Sequence, residues 1–168
     1  MDREGWLNTG DLVVLTHNKD IRIVGRAKET VVLLGGENVE PSPIEDVIGE
    51  SDYVEQAMVV GQDQKFLAAL VVPNIEQVTR YAQANGVSFG ATSDLLASEP
   101  IVNLIMDEIN SRVSPKRGFK LFERVNRVKL LERPFERGKE ITHTLKLKRD
   151  VISELYKKEI AELFRERR

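Results

Sequence analysis

The sequence predicts an α+β domain, a small mixed β-sheet of about three main strands plus hairpins, packed by helices. Three observations carry that prediction. Short β-prone runs and helical patterns follow one another along the chain without the strict strand–helix–strand order of a parallel α/β sheet. The 168 residues are 41% hydrophobic and 31% charged, which suits one domain, or one domain plus a piece of another. The most sustained amphipathic pattern, Val151 to Phe164, lies near the end of the chain and reads as a helix able to cover a sheet.

Taken in order, residues 12–15 (LVVL) and 21–24 (IRIV) are β-prone runs separated by THNKD, a stretch of turn formers, and predict a hairpin. GRAKET then reads as a pivot, VVLL as a further apolar run, and GGENVEP as a loop because of its paired glycines and Pro41. In SPIEDVIGE, Ser42 is the expected N-cap, Pro43 suits the first turn and Glu45 completes a capping box. Ile44, Val47 and Ile48 share one face of that helix, and Gly49 ends it. VEQAMVV and FLAALVV read as strands joined by the turn GQDQK. Asn74 caps a helix over 75–85 that ends at Gly86, and VSFGATSD is a loop. Ser98 and Pro100 open a helix striped by Ile101, Leu104, Ile105 and Ile109, stopping near Ser114-Pro115. RVNRVKLL is a strand and ERPFERGKE a polar loop around Gly138. If THTLKLKRD (142–150) is extended, Lys146 and Lys148 point to one face and Leu145, Leu147 and Arg149 to the other. A long helix follows, carrying Val151, Ile152, Leu155, Tyr156, Ile160, Leu163 and Phe164, with a basic last turn.

Composition excludes several kinds of chemistry. With no cysteine there is no disulfide, thiolate zinc site or cysteine nucleophile. His17 and His143 stand far apart in sequence, so no histidine-rich metal site is expected. The net charge of −2 gives no sign of a nucleic-acid or anionic-membrane partner. No apolar run approaches the ~18 residues of a membrane span. The polar beginning is unlike a signal peptide, which makes a cytoplasmic setting the expectation. MDREGWLNTGDLVV reads as entry into a structure already under way, as in a piece of a longer protein. Neither a P-loop nor GxGxxG, GxSxG or HExxH occurs.

Four stretches remain. In GWLNTGD, Asp11 follows a Thr-Gly turn at the mouth of a strand, and an ionised Asp offers two acceptor oxygens suited to a ribose diol. In GRAKET, Arg26 offers a fork of donors suited to phosphate or ribose. In GGENVEP, Gly35 and Gly36 let backbone approach a ligand closely. In THTLKLKRD, two lysines compete for a chemical role. Each has a plainer reading: a turn Asp, a solvated charged loop, a strand-to-helix turn, and an edge strand protected by lysines. Taken singly, each plain reading is preferred.

Their order and spacing alter that balance. GWLNTGDLV, GRAKETVVLLGGENVEPSPIEDVI and ITHTLKLKRDVI together resemble the C-terminal part of the adenylate-forming superfamily, which includes acyl- and aryl-CoA synthetases. The TLK and KR of the last stretch are most similar to AMP-forming long-chain fatty-acid–CoA ligases, in which residues 74–122 would correspond to an insertion. The resemblance implies two domains: residues 1–27 as the last hairpin of a large N-terminal domain, otherwise absent here, and 28–168 as the mobile C-terminal lid domain. It implies acyl-AMP formation from a fatty acid and ATP, then transfer to CoA, with ATP/AMP, CoA and Mg as cofactors. Mg would accompany ATP and be bound mainly through the absent N-terminal domain, which would also be the protein partner. By the same resemblance Asp11 holds the ribose hydroxyls, Arg26 contacts ribose and phosphate, and Lys28 falls at the hinge. Gly35, Gly36 and Glu37 form the loop that meets the pantetheine arm, and Lys146 is the catalytic lysine of adenylation. Leu145-Lys146 stands where many members carry Gly-Lys. Lys148 is the rival, read as solvent-facing support, because the spacing from Lys146 to Arg149 matches the family's lysine–x–x–arginine.

Other readings are a medium-chain or aryl acid as substrate, or a non-catalytic α+β binding module. The oligomeric state is not given by the sequence. The last helix ends FRERR, a composition compatible with a membrane surface, but its apolar face is expected to pack on the sheet. Membrane contact is thus at most peripheral.

Overall fold

A computed structural model describes residues 5–26 and 28–165. Seven strands and six α-helices are formed among them. Strands β1 (Asp11–Leu15) and β2 (Ile21–Arg26) make an antiparallel hairpin. Strands β3 (Val31–Val32) and β4 (Asn38–Val39) make a second, very short one. Helix α1 (Pro41–Ile48) leads to β5 (Val54–Val60) and β6 (Leu67–Pro73), which pair antiparallel. Helices α2 (Ile75–Ala84), α3 (Thr92–Ala97) and α4 (Glu99–Arg112) cross over to β7 (Val125–Leu130), which runs parallel to β6. The main sheet is therefore β5-β6-β7, and α5 (Arg149–Leu155) and α6 (Lys157–Phe164) close the order.

The sheet works because β6 is apolar on both faces. Leu67, Ala69 and Val71 belong to the core shared with α1, α2, α3 and α4, while Ala68, Leu70 and Val72 face the core under α5 and α6. This is period-two alternation with both faces covered. On the first side Ile101, Ile105 and Ile109, one helical turn apart, are fully buried. Ile44 and Ile48 of α1 and Val78 and Ala82 of α2 complete that layer. On the second side Met58, Phe135, Ile141, Ile152 and Leu163 pack together.

Several local expectations are corrected. Helix α1 starts at Pro41, not after Ser42, since proline tolerates the first helical position; Glu40 precedes it without a side-chain cap. Glu45 therefore completes no capping box, and its carboxylate turns inward instead. The loop expected at 87–94 contains the start of α3, which buries Leu95 and Leu96. The single C-terminal helix is broken at Tyr156 (φ −104°, ψ 26°), and the two pieces bury Ile152 and Leu163 in the same core layer. Lastly, 142–148 is a turn and not an extended strand. Asn74, by contrast, caps α2 as expected, its Oδ1 accepting the N–H of Gln77 at 3.3 Å. The basic last turn expected of the final helix is not found: α6 ends at Phe164, its last turn carries no basic residue, and Arg165 is already extended; 166–168 lie outside the described residues.

Candidate functional site

The hairpin β1–β2 carries the first two site residues. The turn before β1 is closed by Asn8 Oδ1 accepting the N–H of Gly10 (2.9 Å), with Gly10 at φ +73°, where a side chain would be strained. Asp11 then enters the strand directly opposite Arg26. A one-residue bulge sets this register: Leu12 pairs with Gly25 but Val13 pairs with Ile23, so Val24 is skipped. Arg26 Nε lies 3.2 Å from Asp11 Oδ1. The arginine is half-exposed and the carboxylate less so, which leaves the pair facing open space.

Lys146 arrives from the other end of the chain. The N–H of Thr142 donates to the carbonyl of Lys146 (2.8 Å), and Thr142 Oγ1 accepts the Lys146 N–H (3.0 Å). Leu145 is held at φ +63°, the left-handed region. A residue at that position is most easily glycine, which gives a physical reason for the Gly-Lys pair that this chain replaces with Leu145-Lys146. The exposed lysine thus stands on a tight turn with its backbone bonded on both sides.

Asp11, Arg26 and Lys146 line one open cleft of about 830 Å³, together with Arg22, Glu45 and Arg149. The remaining predicted residues lie elsewhere. Lys28 is exposed and lines an adjoining cavity of about 660 Å³ beside α5 and α6. Glu29 and Arg149 line both spaces and form the wall between them. Gly35, Gly36 and Glu37 line neither: they form the β3–β4 turn, with Gly36 at φ +89° and its N–H bonded to Leu33 O (2.9 Å). That turn is seated on the β5–β6 turn through Asp63 N to Val32 O and Leu34 N to Gln64 O, both 2.9 Å.

The Lys146 turn hangs between two glutamate–arginine pairs. Upstream, Glu140 accepts from Arg133 Nη2 (2.6 Å) and from the N–H of Glu136 (3.0 Å). Downstream, Glu45 accepts from Arg149 Nη2 (2.5 Å) and from the N–H of Val59 (2.7 Å). Burial pushes the Glu45 carboxyl above its ordinary value, and the charge of Arg149 opposes that. The hydrogen bond from Arg133 holds Glu140 below its ordinary value.

Sequence reasoning missed this framework. Lys148 supports the turn in a specific way: its Nζ donates to Gly138 O at the surface and its N–H to Glu140 O, both at 2.8 Å, tying the Lys146 turn to the preceding one. The available signal was Glu45, a charged residue directly beside the apolar stripe of Ile44 and Ile48.

Among the described residues no group of three or more His, Cys, Asp or Glu side chains is gathered to hold a metal ion. The described residues therefore do not make a magnesium site. The cleft instead gathers acceptor oxygens from Asp11 and donors from Arg26 and Lys146. No described helix is long and apolar enough to cross a membrane.

Fold and cleft define a class first: a small α+β domain that gathers an aspartate, an arginine and a lysine from both ends of its chain around one open space. The family model described as AMP-binding enzyme C-terminal domain matches residues 28–168, and the chain belongs to that family. Similar proteins include the probable acyl-activating enzyme 16, chloroplastic, of Arabidopsis thaliana, 32% identical over 98% of this chain and 24% of its own length. Long-chain-fatty-acid–CoA ligase 1 of Homo sapiens is 31% identical, again over 98% of this chain and 24% of its own. The chain thus spans about a quarter of the length of these relatives. Among solved structures, the A domain of carboxylic acid reductase from Segniliparus rugosus superposes with a TM-score of 0.80 at 23% identity, over 97% of this chain and 24% of that one. The fatty acyl CoA synthetase of Mycobacterium tuberculosis gives 0.53 at 23%, over 92% and 25%. At these identities the two structures speak for the fold alone.

Proposed function

We propose that the chain serves as the C-terminal domain of a long-chain fatty-acid–CoA ligase, with residues 1–27 as the last hairpin of a larger N-terminal domain. The observation that carries the proposal is the meeting of Asp11 and Arg26 at one cleft with Lys146, which lies more than a hundred residues further along the sequence. In the first step a fatty-acid carboxylate oxygen attacks the α-phosphorus of ATP, the bond to the β-phosphate breaks and pyrophosphate leaves. Asp11 accepts the ribose hydroxyls and Arg26 donates to ribose and phosphate. The Lys146 ammonium bridges carboxylate and α-phosphate, orienting them and offsetting the charge that builds. In the second step the CoA sulfur attacks the acyl carbon and AMP leaves. The turn Gly35–Gly36–Glu37 meets the pantetheine arm in that pose, after rotation at the Lys28 hinge. ATP with its magnesium, and the acyl chain, are held mainly by residues outside this chain. The setting is cytoplasmic, with at most peripheral membrane contact.

ATP–pyrophosphate exchange tests the reading. The chain alone is expected to show none, and robust exchange by it would overturn the proposal. In the longer protein Lys146→Ala should slow acyl-adenylate formation by about 100-fold or more, the scale of losing one transition-state donor. It should leave thioester formation from supplied acyl-adenylate largely intact; equal loss in both steps refutes the role. A second reading keeps the activation step and changes the acceptor thiol. A 31%-identical relative is named long-chain-fatty-acid–[acyl-carrier-protein] ligase AEE15. Offering CoA and a phosphopantetheinylated carrier protein side by side separates the two.

A further inference from the structure

The hairpin carrying Asp11 and Arg26 touches the body of the domain at an unusual contact. Glu40, the residue before α1, sends its side chain back toward β2. Its Oε1 accepts the hydroxyl of Thr30 at 2.6 Å. Its Oε2 is buried with no hydrogen-bond partner among the described residues. That oxygen occupies the space beside Gly25: a Cβ built there would lie 2.0 Å from Oε2 and 2.8 Å from the carboxylate carbon. Gly25 has no positive φ, so its backbone would accept alanine; a methyl there would meet the Glu40 side chain, which would have to leave its seat or push the hairpin away. Gly25 is paired with Leu12, beside Asp11, and precedes Arg26. The N–H groups of Glu29 (2.8 Å) and Thr30 (3.2 Å) both bond to Arg26 O.

We propose that Glu40, seated against Gly25, is a positioning residue that fixes the angle at which the hairpin presents Asp11 and Arg26 to Lys146. Two opposing terms meet there. The Thr30 bond and the close approach to Gly25 hold the hairpin against the body, while burying a carboxylate oxygen without a donor penalises the same arrangement. The orientation is held but poised, and a swing of the hairpin returns the orphaned oxygen to water. Asp11 and Arg26 would leave Lys146 in the same motion. The functional meaning rests on the adenylation reading above; the contact itself does not.

The chain has no cysteine, so two can be placed at will. Spin labels on His17→Cys in the hairpin and Gln83→Cys in α2, both exposed, report hairpin orientation as a distance distribution. No substrate is needed, so the outcome is separable from failure of the enzymatic reading. Gly25→Ala should move the most populated distance by more than the width of the unsubstituted distribution. In a Glu40→Ala background the same Gly25→Ala change should do nothing, because the methyl then has nothing to meet. A shift of equal or larger size in both backgrounds would mean a backbone effect and overturns the proposal. So does a distribution indifferent to Gly25→Ala, whether narrow or broad. Thermal unfolding of each variant, read on the buried sheet, confirms that the body is intact.

Discussion

Glu45 and Glu140 are bonded alike and titrate in opposite directions. Each gives one oxygen to an arginine and the other to a backbone N–H. Yet Glu45 stands above the ordinary glutamate value and Glu140 below it. Surface exposure would suggest the reverse, since the Glu140 side chain is 3% exposed and that of Glu45 11%. Depth resolves this. Glu140 is covered by a single layer, its own turn and an arginine that is itself 43% exposed, so water lies just beyond its partners. Glu45 projects from α1 against β5 and Arg149 at the back of the cleft it helps to line, and the Arg149 side chain is only 17% exposed. Similar hydrogen bonds offset desolvation at the rim, where the Glu140 backbone N–H adds another, and fail to offset it at Glu45, where the charge of Glu29 adds to the rise.

The largest effect expected from this difference is at the deep pair. Arg149→Ala leaves the Glu45 carboxylate buried without its counter-charge and should cost about 3 kcal/mol or more in urea unfolding. Replacing both partners, with Glu45→Leu and Arg149→Met, should recover most of that loss, because the desolvation penalty disappears with the charges. If the double replacement unfolds as easily as Arg149→Ala, the interior account of the pair fails. At the rim, Arg133→Ala should cost no more than about 1 kcal/mol, since the guanidinium is largely solvated already.

Titration separates the two pairs without breaking either. A carboxyl lowered by folding, such as Glu140, contributes stability that is present above the unfolded value and lost as pH falls through the folded one. A carboxyl raised by folding, such as Glu45, does the opposite: its contribution is full below the unfolded value and declines as pH rises through the folded one. Glu45→Gln should therefore make stability climb more steeply with pH above the ordinary carboxylate range. Arg133→Ala should flatten the acid limb. Unfolding midpoints measured from pH 3 to 8 (about the range of carboxyl titration) check both signs, and matching slopes in the two variants would contradict the depth argument.

The sheet was readable in the sequence because β6 is a continuous apolar run, β5 ends in one and β7 partly alternates, with turn formers between β5 and β6. Helix α4 was readable because Ile101, Ile105 and Ile109 repeat at helical spacing. What hid were features set by distant neighbours. Glu45 fits a capping box by local pattern, and only the arrival of Arg149, 104 residues later, turns it inward. Tyr156 has no helix-breaking chemistry, and the break there coincides with contacts that Phe135 and Arg133 make with its ring and hydroxyl. Among the site residues Asp11, Arg26 and Lys146 were singled out by resemblance, and the structure brings them to one cleft; periodicity alone treated each as an ordinary surface charge. Strand-like alternation in THTLKLKRD was misleading for the same reason, because a left-handed residue in its middle leaves no trace in a pattern of polar and apolar letters.

That residue gives the smallest and most specific effect. The turn bearing Lys146 is slung between the rim pair and the deep pair, and Leu145 supplies its bend at φ +63°. A non-glycine residue in that region carries a penalty of roughly 1–2 kcal/mol, offset in part because glycine gains more freedom on unfolding. Leu145 is 60% exposed, so its side chain returns little through burial. Leu145→Gly should therefore raise stability by a few tenths to about 1 kcal/mol, a sign opposite to the loss that Leu→Gly causes elsewhere. Leu155→Gly is the matched control: it is 54% exposed but helical, and should lose about 1 kcal/mol. If both substitutions destabilise alike, the bend at Leu145 carries no strain. The lysine beside it would then be held by the flanking ion pairs and the Thr142 bonds alone.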